Sequence, residues 1–423
     1  MAEDIFLDDD FLRQLMSVGE VDLLVGVPSY NNAATIGQTV RIIEDSFQQS
    51  FVRDRVVIVN VDGGSTDDTT ARALEQDQQR NSGHKGLTTL RTIHRVSAQY
   101  ARAPTQGIAL RSILASADLV RAKACAIISP ATPNLTCSWV ANLLRPVYRE
   151  HYDFVAPLYS RSKYQGLLAR NLLYPMSRAI FAQGIRELYS DEWAFSGRLA
   201  GYTLEQDVWQ EEAVRARPEA WMGITAMCSG YKCAQYFLGQ KIAAPATTGP
   251  DIVEAVRETV GNLFWCMEVN QEHWMDLSGP QPIPTFGPDH ELLPDEPPAN
   301  AEKILELFRS GVTKLHPILA SILSSDTHGQ IKAMAALDHD KFRFANELWV
   351  RTLYEFAAAY HHAVLNRNHL VQTLVPLYRG KLYSFLREHA NSSAEQMEAA
   401  SELLCQEFER QKPYLIERWK AKG

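Results

Sequence analysis

Residues with the chemistry to bind a nucleotide follow an apolar run at 57–61, Val-Ile-Val-Asn-Val. The run ends at Asp62, two glycines follow, and Ser65-Thr66-Asp67-Asp68 then has the composition of a helix start. A carboxylate at the carboxyl end of a buried parallel strand, beside a tight glycine turn, is where open α/β sheets bind nucleotides. The stretch therefore favours a nucleotide site, although an ordinary strand-to-helix junction has the same composition.

The composition of the chain limits its class. With 423 residues, a net charge of −8 and a pI near 5.9, it has room for two or three domains and lacks the basic field that nucleic acids require. No apolar run reaches the roughly 18–20 residues of a membrane span, and the amino terminus is acidic, unlike a signal peptide. Six cysteines fit neither a disulfide framework nor a zinc motif, so we expect a cytoplasmic protein.

Alternating apolar runs and helical patterns organise the first half of the chain. Strands are predicted at 21–28 and 55–61, and helices at 33–48 and 67–78. Further strands are predicted at 88–93, 123–129 and 153–156, with helices at 105–120 and 249–268 and one around Trp139. This alternation predicts an α/β fold with a mostly parallel sheet and right-handed crossovers.

The chain divides into four predicted segments. Residues 1–20 form an amphipathic lead-in, and 21–275 form the α/β domain. A Pro-rich, acidic linker follows at 276–299. Residues 300–423 contain few glycines and space their apolar residues as helices do, which predicts an all-α C-terminal domain.

The order of several motifs resembles family-2-type glycosyltransferases of the GT-A fold, in particular the bacterial glucosylglycerate synthases. The loop Pro28-Ser29-Tyr30-Asn31 follows the first strand, and Asp62-Gly63-Gly64 follows the second. Residues 154–166, Phe-Val-Ala-Pro-Leu-Tyr-Ser-Arg-Ser-Lys-Tyr-Gln-Gly, are similar to the family's VAPxYxRxKYxG stretch. Phe195-Ser196-Gly197 and Pro376-Leu377-Tyr378 come in the family's order. More distantly, the chain is similar to glucosyl-3-phosphoglycerate and mannosylglycerate synthases.

The resemblance implies a GT-A nucleotide-sugar-binding fold and indicates which residues form its donor site. In that family the two loops hold the base and ribose of a nucleoside-diphosphate sugar, UDP- or GDP-hexose. The residues at the matching positions are Pro28, Ser29, Tyr30, Asn31, Asp62, Gly63 and Gly64.

Positions that hold a divalent cation and the diphosphate in the family have changed here. The Asp-x-Asp position contains Ser129-Pro130-Ala131, the histidine position contains Ala243, and Gln106 replaces the basic residue of the family's Gly-Lys-Gly turn. None of these side chains supplies the missing charge. We therefore expect no Mg²⁺ or Mn²⁺ site of the family type.

Cationic side chains are the candidates to meet the phosphates instead. Guanidinium and ammonium groups pair directly with phosphate oxygens, which makes Arg161, Lys163 and Lys241 the candidates. The resemblance also places Arg161 and Lys163, with Tyr164, near an anionic acceptor such as D-glycerate. These cations could equally pair with neighbouring carboxylates.

Two carboxylates occupy acidic positions of the family. Glu192 precedes the Phe-Ser-Gly stretch, and Glu219 lies two residues before a tryptophan. Either could orient a sugar hydroxyl or stabilise the oxocarbenium-like centre, and either could be a solvated charge on a loop. A retaining front-face reaction needs no protein nucleophile, so none is named.

Two functions fit these residues. The first is transfer of a hexose, glucose or mannose, from a nucleoside diphosphate to a small hydroxy acid, without a metal. The second is a degenerate pseudo-glycosyltransferase that binds or scaffolds a partner protein. The expected partners are the donor, a small anionic acceptor and a second copy of the chain, without nucleic acid or a membrane span.

Overall fold

A computed structural model describes residues 9–73, 94–99, 106–162, 164–242, 252–288 and 301–421. Residue contacts divide the chain into two units. The first consists of the described parts of 1–159, 187–246 and 283–290. The second consists of the described parts of 160–186, 247–282 and 291–423. The predicted boundary near 275 divides the chain differently, because the contacts group 160–186 and 247–275 with the C-terminal helices.

Eight strands of the described chain form a single sheet. They are β1 (Leu23–Ser29), β2 (Val56–Asp62), β3 (His94–Gln99), β4 (Ala124–Ile127), β5 (Phe154–Ser160), β6 (Trp193–Ser196), β7 (Cys233–Gln240) and β8 (Thr285–Phe286). Their order across the sheet is β3-β2-β1-β4-β6-β5-β7-β8. β1 runs parallel to β2 and β4, and β2 runs parallel to β3, whereas β6 is antiparallel to β4 and β5.

Helices in chain order are α1 (Asp9–Val18), α2 (Ile36–Ser50), α3 (Gln106–Leu119), α4 (Cys137–Glu150), α5 (Tyr174–Phe181), α6 (Gly197–Leu204), α7 (Glu212–Ala216), α8 (Pro218–Cys228), α9 (Ile252–Val269), α10 (Gln271–Trp274), α11 (Ala301–Lys314), α12 (His316–Ile322), α13 (Ser325–Ala335), α14 (Asn346–His361), α15 (Arg367–Thr373), α16 (Val375–Glu388) and α17 (Ala394–Lys420). A π-helical turn, Ala169–Leu173, precedes α5. A further helical turn begins at Thr69.

The core of the first unit lies against the sheet. β1 and β2 are almost entirely buried, as expected for strands covered on both faces. Apolar residues of α2 and α4, such as Ile43 and Leu143, belong to one buried cluster with β1, β2 and β4. α3 packs so closely on β1 that a Cβ at Gly26 would lie 2.6 Å from Ile113 Cδ1. These helices fix the strand ends from which the site is built.

The C-terminal residues of the second unit are helical. α14 and α16 bury most of their residues, and Trp349 and Tyr378 are almost completely enclosed. Trp349 donates its indole N–H to the main-chain oxygen of Asn171 at 2.8 Å, within the same unit. α17 begins with a capping box formed by Ser393 and Gln396.

The predicted fold class is confirmed: a mostly parallel α/β sheet is followed by an all-α C-terminal part. The predicted strand at 88–93 lies outside the described residues, and the third described strand occupies His94–Gln99. Among the described residues, no helix is long and apolar enough to cross a membrane.

Candidate functional site

The carboxyl edge of the sheet brings together the loops that the sequence singled out. β1 and β2 end side by side, because Ser29 pairs with Asp62. β3 lies beyond β2, whereas β4 lies on the other side of β1, so the chain reverses its direction of winding between β1 and β4. Such a switch point leaves a crevice outside the strand ends, where open α/β sheets bind ligands.

Asp62 is completely buried and shapes the loop that follows it. One carboxylate oxygen accepts hydrogen bonds from the hydroxyls of Ser29 at 3.0 Å and Ser65 at 2.6 Å. The other oxygen accepts from the backbone N–H groups of Gly64 at 3.1 Å and Ser65 at 2.8 Å. Gly64 has a φ of +81°, which glycine adopts without strain. Asp62 therefore holds the loop in shape, and direct contact of its carboxylate with a nucleotide stays a prediction.

The loops after β1 and β2 are joined by further hydrogen bonds. Asn31, at a φ of +51°, donates its backbone N–H to the hydroxyl of Ser65 at 2.8 Å and accepts from the N–H of Thr66 at 2.9 Å. The backbone N–H of Gly63 donates to the carbonyl of Ser29 at 2.8 Å. Tyr30 projects from this network with 48% of its surface exposed. The pair of loops thus presents one aromatic ring on a fixed backbone.

A second group of polar residues surrounds Glu192, just before β6. Glu192 is fully buried and accepts hydrogen bonds from the hydroxyl of Thr132, from the phenol of Tyr159 at 2.6 Å and from Lys241 Nζ at 2.7 Å. These residues come from different strand ends, since Thr132 follows β4 and Lys241 follows β7. We call Thr132, Tyr159, Asp191, Glu192 and Lys241 the Glu192 cluster.

Lys241 carries the positive charge of this cluster. Its ammonium contacts Glu192 and, at 2.9 Å, the half-exposed Asp191, and it lies 5.2 Å from the centre of the Tyr159 ring. Burial alone would lower the pKa of Lys241, but the two carboxylates outweigh it and hold the pKa above the ordinary lysine value. Lys241 is therefore a cation at neutral pH, at the edge of the sheet.

Tyr159 is kept protonated by the same surroundings. Its burial, followed by the adjacent Glu192 carboxylate, raises the pKa of the phenol well above its ordinary value. The ring contacts Trp139 with centroids 5.3 Å apart, and the hydroxyl lies 3.2 Å from that of Ser190. The protonated hydroxyl of Tyr159 therefore donates to the Glu192 carboxylate.

Ser129 and Ala131, which the sequence resemblance places at metal positions, do not offer the oxygen ligands that a hard divalent cation prefers. The hydroxyl of Ser129 accepts from the backbone N–H of Ala131 at 3.2 Å, so it serves the turn, and Ala131 has no ligand atom. The carboxylate of Glu192 is already paired with Lys241. Among the described residues, no three His, Cys, Asp or Glu side chains form a group that could hold a metal ion. Ala243 lies outside the described residues.

Glu219, the second predicted carboxylate, does not take part in the hydrogen bonds of the Glu192 cluster among the described residues. It is buried in the first turn of α8, and one carboxylate oxygen lies 3.6 Å from Arg217 Nη1. Within the described chain it makes no hydrogen bond or ion pair with Glu192 or Lys241. A shared catalytic role for Glu192 and Glu219 therefore gains no support from the geometry, and each role stays a prediction.

Predicted residues near the acceptor belong to the other unit or lie outside the described chain. Arg161 and Tyr164 are half-buried members of the second unit, and the side chain of Arg161 lies against Gly166. Lys163 lies outside the described residues, as does the side chain of Gln106, the first residue of α3. The grouping of Arg161 and Lys163 with Lys241 therefore remains a prediction.

Several residues of the cluster were missed by sequence reasoning. Tyr159 sits inside an apolar strand pattern, and Thr132 resembles an ordinary turn residue. The indole N–H of Trp193 is buried and has no hydrogen-bond partner within the described chain, directly after Glu192. The one signal in the sequence was the pair of acids Asp191-Glu192 before a strand, which indicates that a cation lies nearby. The sequence could not indicate that Lys241 is this cation.

Comparisons with known proteins find similarity only among solved structures. The chain is similar to glucosyl-3-phosphoglycerate synthase from Mycobacterium tuberculosis in complex with Mn²⁺, UDP and glucosyl-3-phosphoglycerate, at a TM-score of 0.42 and 18% identity over 61% of this chain and 82% of that one. The same enzyme with Mn²⁺, UDP-glucose and phosphoglyceric acid gives a TM-score of 0.43 and 18% identity over 61% and 83% of the two chains.

No protein-family model matches the chain, and no curated protein matches it. Because the structural similarities have identities below 25% and TM-scores below 0.5, they assign neither a family nor an activity to this chain.

Proposed function

We propose that the chain is a metal-independent glycosyltransferase that moves a hexose, glucose or mannose, from a nucleoside-diphosphate sugar to a small hydroxy acid such as D-glycerate. The observation that carries the proposal is the cation of Lys241 at the carboxyl edge of the sheet, where the sequence lacks the family's metal ligands. A fixed positive charge beside the strand ends is what a departing diphosphate requires.

The loops after β1 and β2 are proposed to receive the nucleoside. They lie beside the switch point between β1 and β4, and Tyr30 offers an exposed aromatic face on which a base can stack. Asp62 contributes by fixing the two loops through its four hydrogen bonds. The nucleoside would thus bind a preformed surface at little cost in ordering.

The diphosphate is proposed to meet Lys241. Glu192 and Asp191 hold the ammonium in place, and Tyr159 and Thr132 hold Glu192, so the cation needs little reorganisation when charge develops on the leaving group. Glu192 acts here as a positioning residue. The buried indole N–H of Trp193 is a further donor awaiting an acceptor.

Transfer itself is proposed to follow the retaining, front-face course. The bond between the sugar's anomeric carbon and the diphosphate oxygen breaks, the acceptor hydroxyl oxygen bonds to that carbon on the same face, and the departing phosphate takes the hydroxyl proton. Arg161, Lys163 and Tyr164 remain the proposed acceptor residues, and a homodimer remains the proposed assembly.

The test is a thermal-shift and calorimetry panel with UDP, GDP, ADP and their glucose and mannose derivatives, each in EDTA or in Mg²⁺. One nucleotide is expected to raise the melting temperature by the same amount in EDTA and in Mg²⁺. The shift should be measurable, since a ligand at about 100 times its Kd adds roughly 2.7 kcal/mol of stability. Incubation of that nucleotide sugar with D-glycerate in EDTA should then release free nucleoside diphosphate.

A matched pair of lysine variants shows whether Lys241 is responsible. Lys241→Met removes the cation at the carboxyl end of β7, whereas Lys232→Met removes an exposed lysine just before the other end of the same strand. We expect Lys241→Met to weaken nucleotide binding at least tenfold, about the strength of one charge-assisted hydrogen bond, and Lys232→Met to leave it unchanged. Equal binding by both variants would contradict the role of Lys241, and binding only with Mg²⁺ would contradict the metal-free mechanism.

The pseudo-glycosyltransferase is the second candidate. The observation that favours it is the satisfied state of the Glu192 cluster, in which the cation already has two carboxylate partners. Nucleotide binding without release of nucleoside diphosphate from any nucleotide sugar, with glycerate present, would select this candidate over the transferase.

A further inference from the structure

The main chain on either side of Lys241 is held by Asn134, a half-buried residue of the loop between β4 and α4. The side-chain nitrogen of Asn134 donates to the main-chain oxygen of Gln240 at 2.6 Å, and its Oδ1 accepts from the backbone N–H of Ile242 at 3.0 Å. These are the two bonds that a residue on a parallel neighbouring strand would make. One side-chain amide therefore bridges the residue before Lys241 and the residue after it.

This bridge lies where the regular structure of β7 ends. Gln240 is the last residue of the strand, and Gly239 before it has a φ of +88°, a left-handed conformation that departs from the extended backbone. Lys241 and Ile242 follow outside the strand. Main-chain groups that leave a strand need other hydrogen-bond partners, and Asn134 offers both a donor and an acceptor at this point.

The same loop also holds the counter-ion of Lys241. Thr132, two residues before Asn134, is buried and donates its hydroxyl to the carboxylate of Glu192. That carboxylate accepts from Lys241 Nζ at 2.7 Å. A lysine side chain has a flexible four-carbon stem, so the place of its charge depends on both its backbone and the partner of its ammonium. The loop after β4 thus acts on both ends of Lys241.

We propose that Asn134 is a positioning residue for the Lys241 cation, an inference that rests on the proposed function, in which this cation meets the diphosphate. A charge that is already in place stabilises a leaving group without reorganisation during the reaction. Without the bridge to Gln240 and Ile242, the ammonium would have to be ordered when the diphosphate binds, which weakens binding. Asn134 therefore acts on the ligand through Lys241.

The test is calorimetric titration of the full chain in EDTA with UDP, GDP and ADP. Asn134→Ala should weaken binding of the nucleotide that the parent chain binds by about two- to tenfold, the range for the loss of a neutral hydrogen bond. Thr136→Ala is the matched control, because Thr136 belongs to the same loop but caps α4, where its hydroxyl accepts from the backbone N–H of Trp139 at 3.4 Å. This control should bind the nucleotide as the parent chain does.

Repeating Asn134→Ala in the Lys241→Met background separates positioning from a general effect on the fold. Once the cation is gone, Asn134→Ala should weaken nucleotide binding no further, because the two residues act as one unit. Equal binding by the parent chain and Asn134→Ala would overturn the inference and leave the proposed function in place. The same fold loss with and without Lys241 would also overturn it.

Chemical denaturation of the same four proteins gives a second readout that needs no nucleotide. If Asn134 holds the ammonium in its ion pair, Asn134→Ala should lower the stability less in Lys241→Met than in the parent chain, whereas independent sites lose equal amounts. A parent chain that binds none of the three nucleotides would contradict the proposed function, and this cycle alone then decides whether Asn134 positions Lys241. Equal losses in the two backgrounds overturn the inference. Asn134→Ser, which keeps one hydrogen-bonding group, replaces Asn134→Ala in both measurements where that variant does not fold.

Discussion

Lys241 in the first unit and Lys381 in the second are both buried lysines, yet their surroundings act in opposite directions. Lys241 contacts two carboxylates, and its pKa is held above the ordinary lysine value in spite of burial. Lys381 contacts two neutral oxygens, and burial lowers its pKa to about 8. Burial alone therefore does not decide the direction in which the pKa of a lysine shifts, because the charge of its partners also acts on it.

The difference lies in the hydrogen-bond partners that the chain places next to each ammonium. At Lys241 the chain itself supplies the counter-ions, so the cation is in place before any ligand arrives. At Lys381 the hydrogen-bond partners are neutral oxygens, so burial is the largest influence on its ammonium. The first arrangement is the one on which the proposed stabilisation of a leaving group depends.

The largest effect should come from removing the partner of Lys241. Glu192→Gln keeps the shape of the side chain but leaves the ammonium with Asp191 alone, so the free energy of unfolding should fall by about 3–4 kcal/mol. Chemical denaturation measures this loss.

A double variant provides the control for that experiment. Glu192→Gln with Lys241→Met removes both charges, and it should recover a large part of the stability that Glu192→Gln loses. A loss below about 1 kcal/mol in Glu192→Gln would mean that the buried pair is not the stabilising feature described here.

Removing Lys381 should have the opposite sign. At pH 7 the parent chain keeps a charged lysine that prefers the unfolded state, so Lys381→Met should be more stable to unfolding. Between pH 8 and about 10.4 the unfolded chain holds a proton that the folded chain has released, so the stability of the parent rises with pH. The difference in the free energy of unfolding between the parent and Lys381→Met should shrink by up to about 3 kcal/mol across this window, since each pKa unit is worth about 1.4 kcal/mol.

Unfolding curves of the parent and Lys381→Met at pH 7, 8, 9 and 10 measure that gap. The charges of Glu388 and Arg343 also act on the pKa of Lys381, in opposite directions. A gap that stays constant with pH would show that Lys381 does not titrate in the window. The difference in stability between the parent and Lys412→Met should also shrink as the pH rises, since burial lowers the pKa of Lys412 in the same way.

The sequence predicted the strands of the sheet better than it predicted the partners of the buried charged side chains. Buried strands such as β2 are continuous apolar runs, and Asp62 at the end of one marked the carboxyl edge. The partners of Lys241 could not be predicted, because Glu192 precedes it by nearly fifty residues and meets it only when β6 and β7 are placed in the sheet. Lys381 lies in an amphipathic helix where a lysine normally faces solvent, and its burial depends on how α14, α16 and α17 pack.

The smallest effect tests whether Lys241 is held for a ligand or only for the fold. Asp191 is half exposed, so its ion pair with Lys241 is screened, and Asp191→Asn should cost no more than about 0.5 kcal/mol of stability. If Lys241 meets a diphosphate, Asp191 competes with the phosphate oxygens for the same ammonium. Removing that competitor should then strengthen nucleotide binding by roughly twofold, measured by calorimetry in EDTA. Weaker binding in Asp191→Asn would instead mean that Asp191 orients Lys241 toward the ligand, and unchanged binding would place the phosphates away from Lys241.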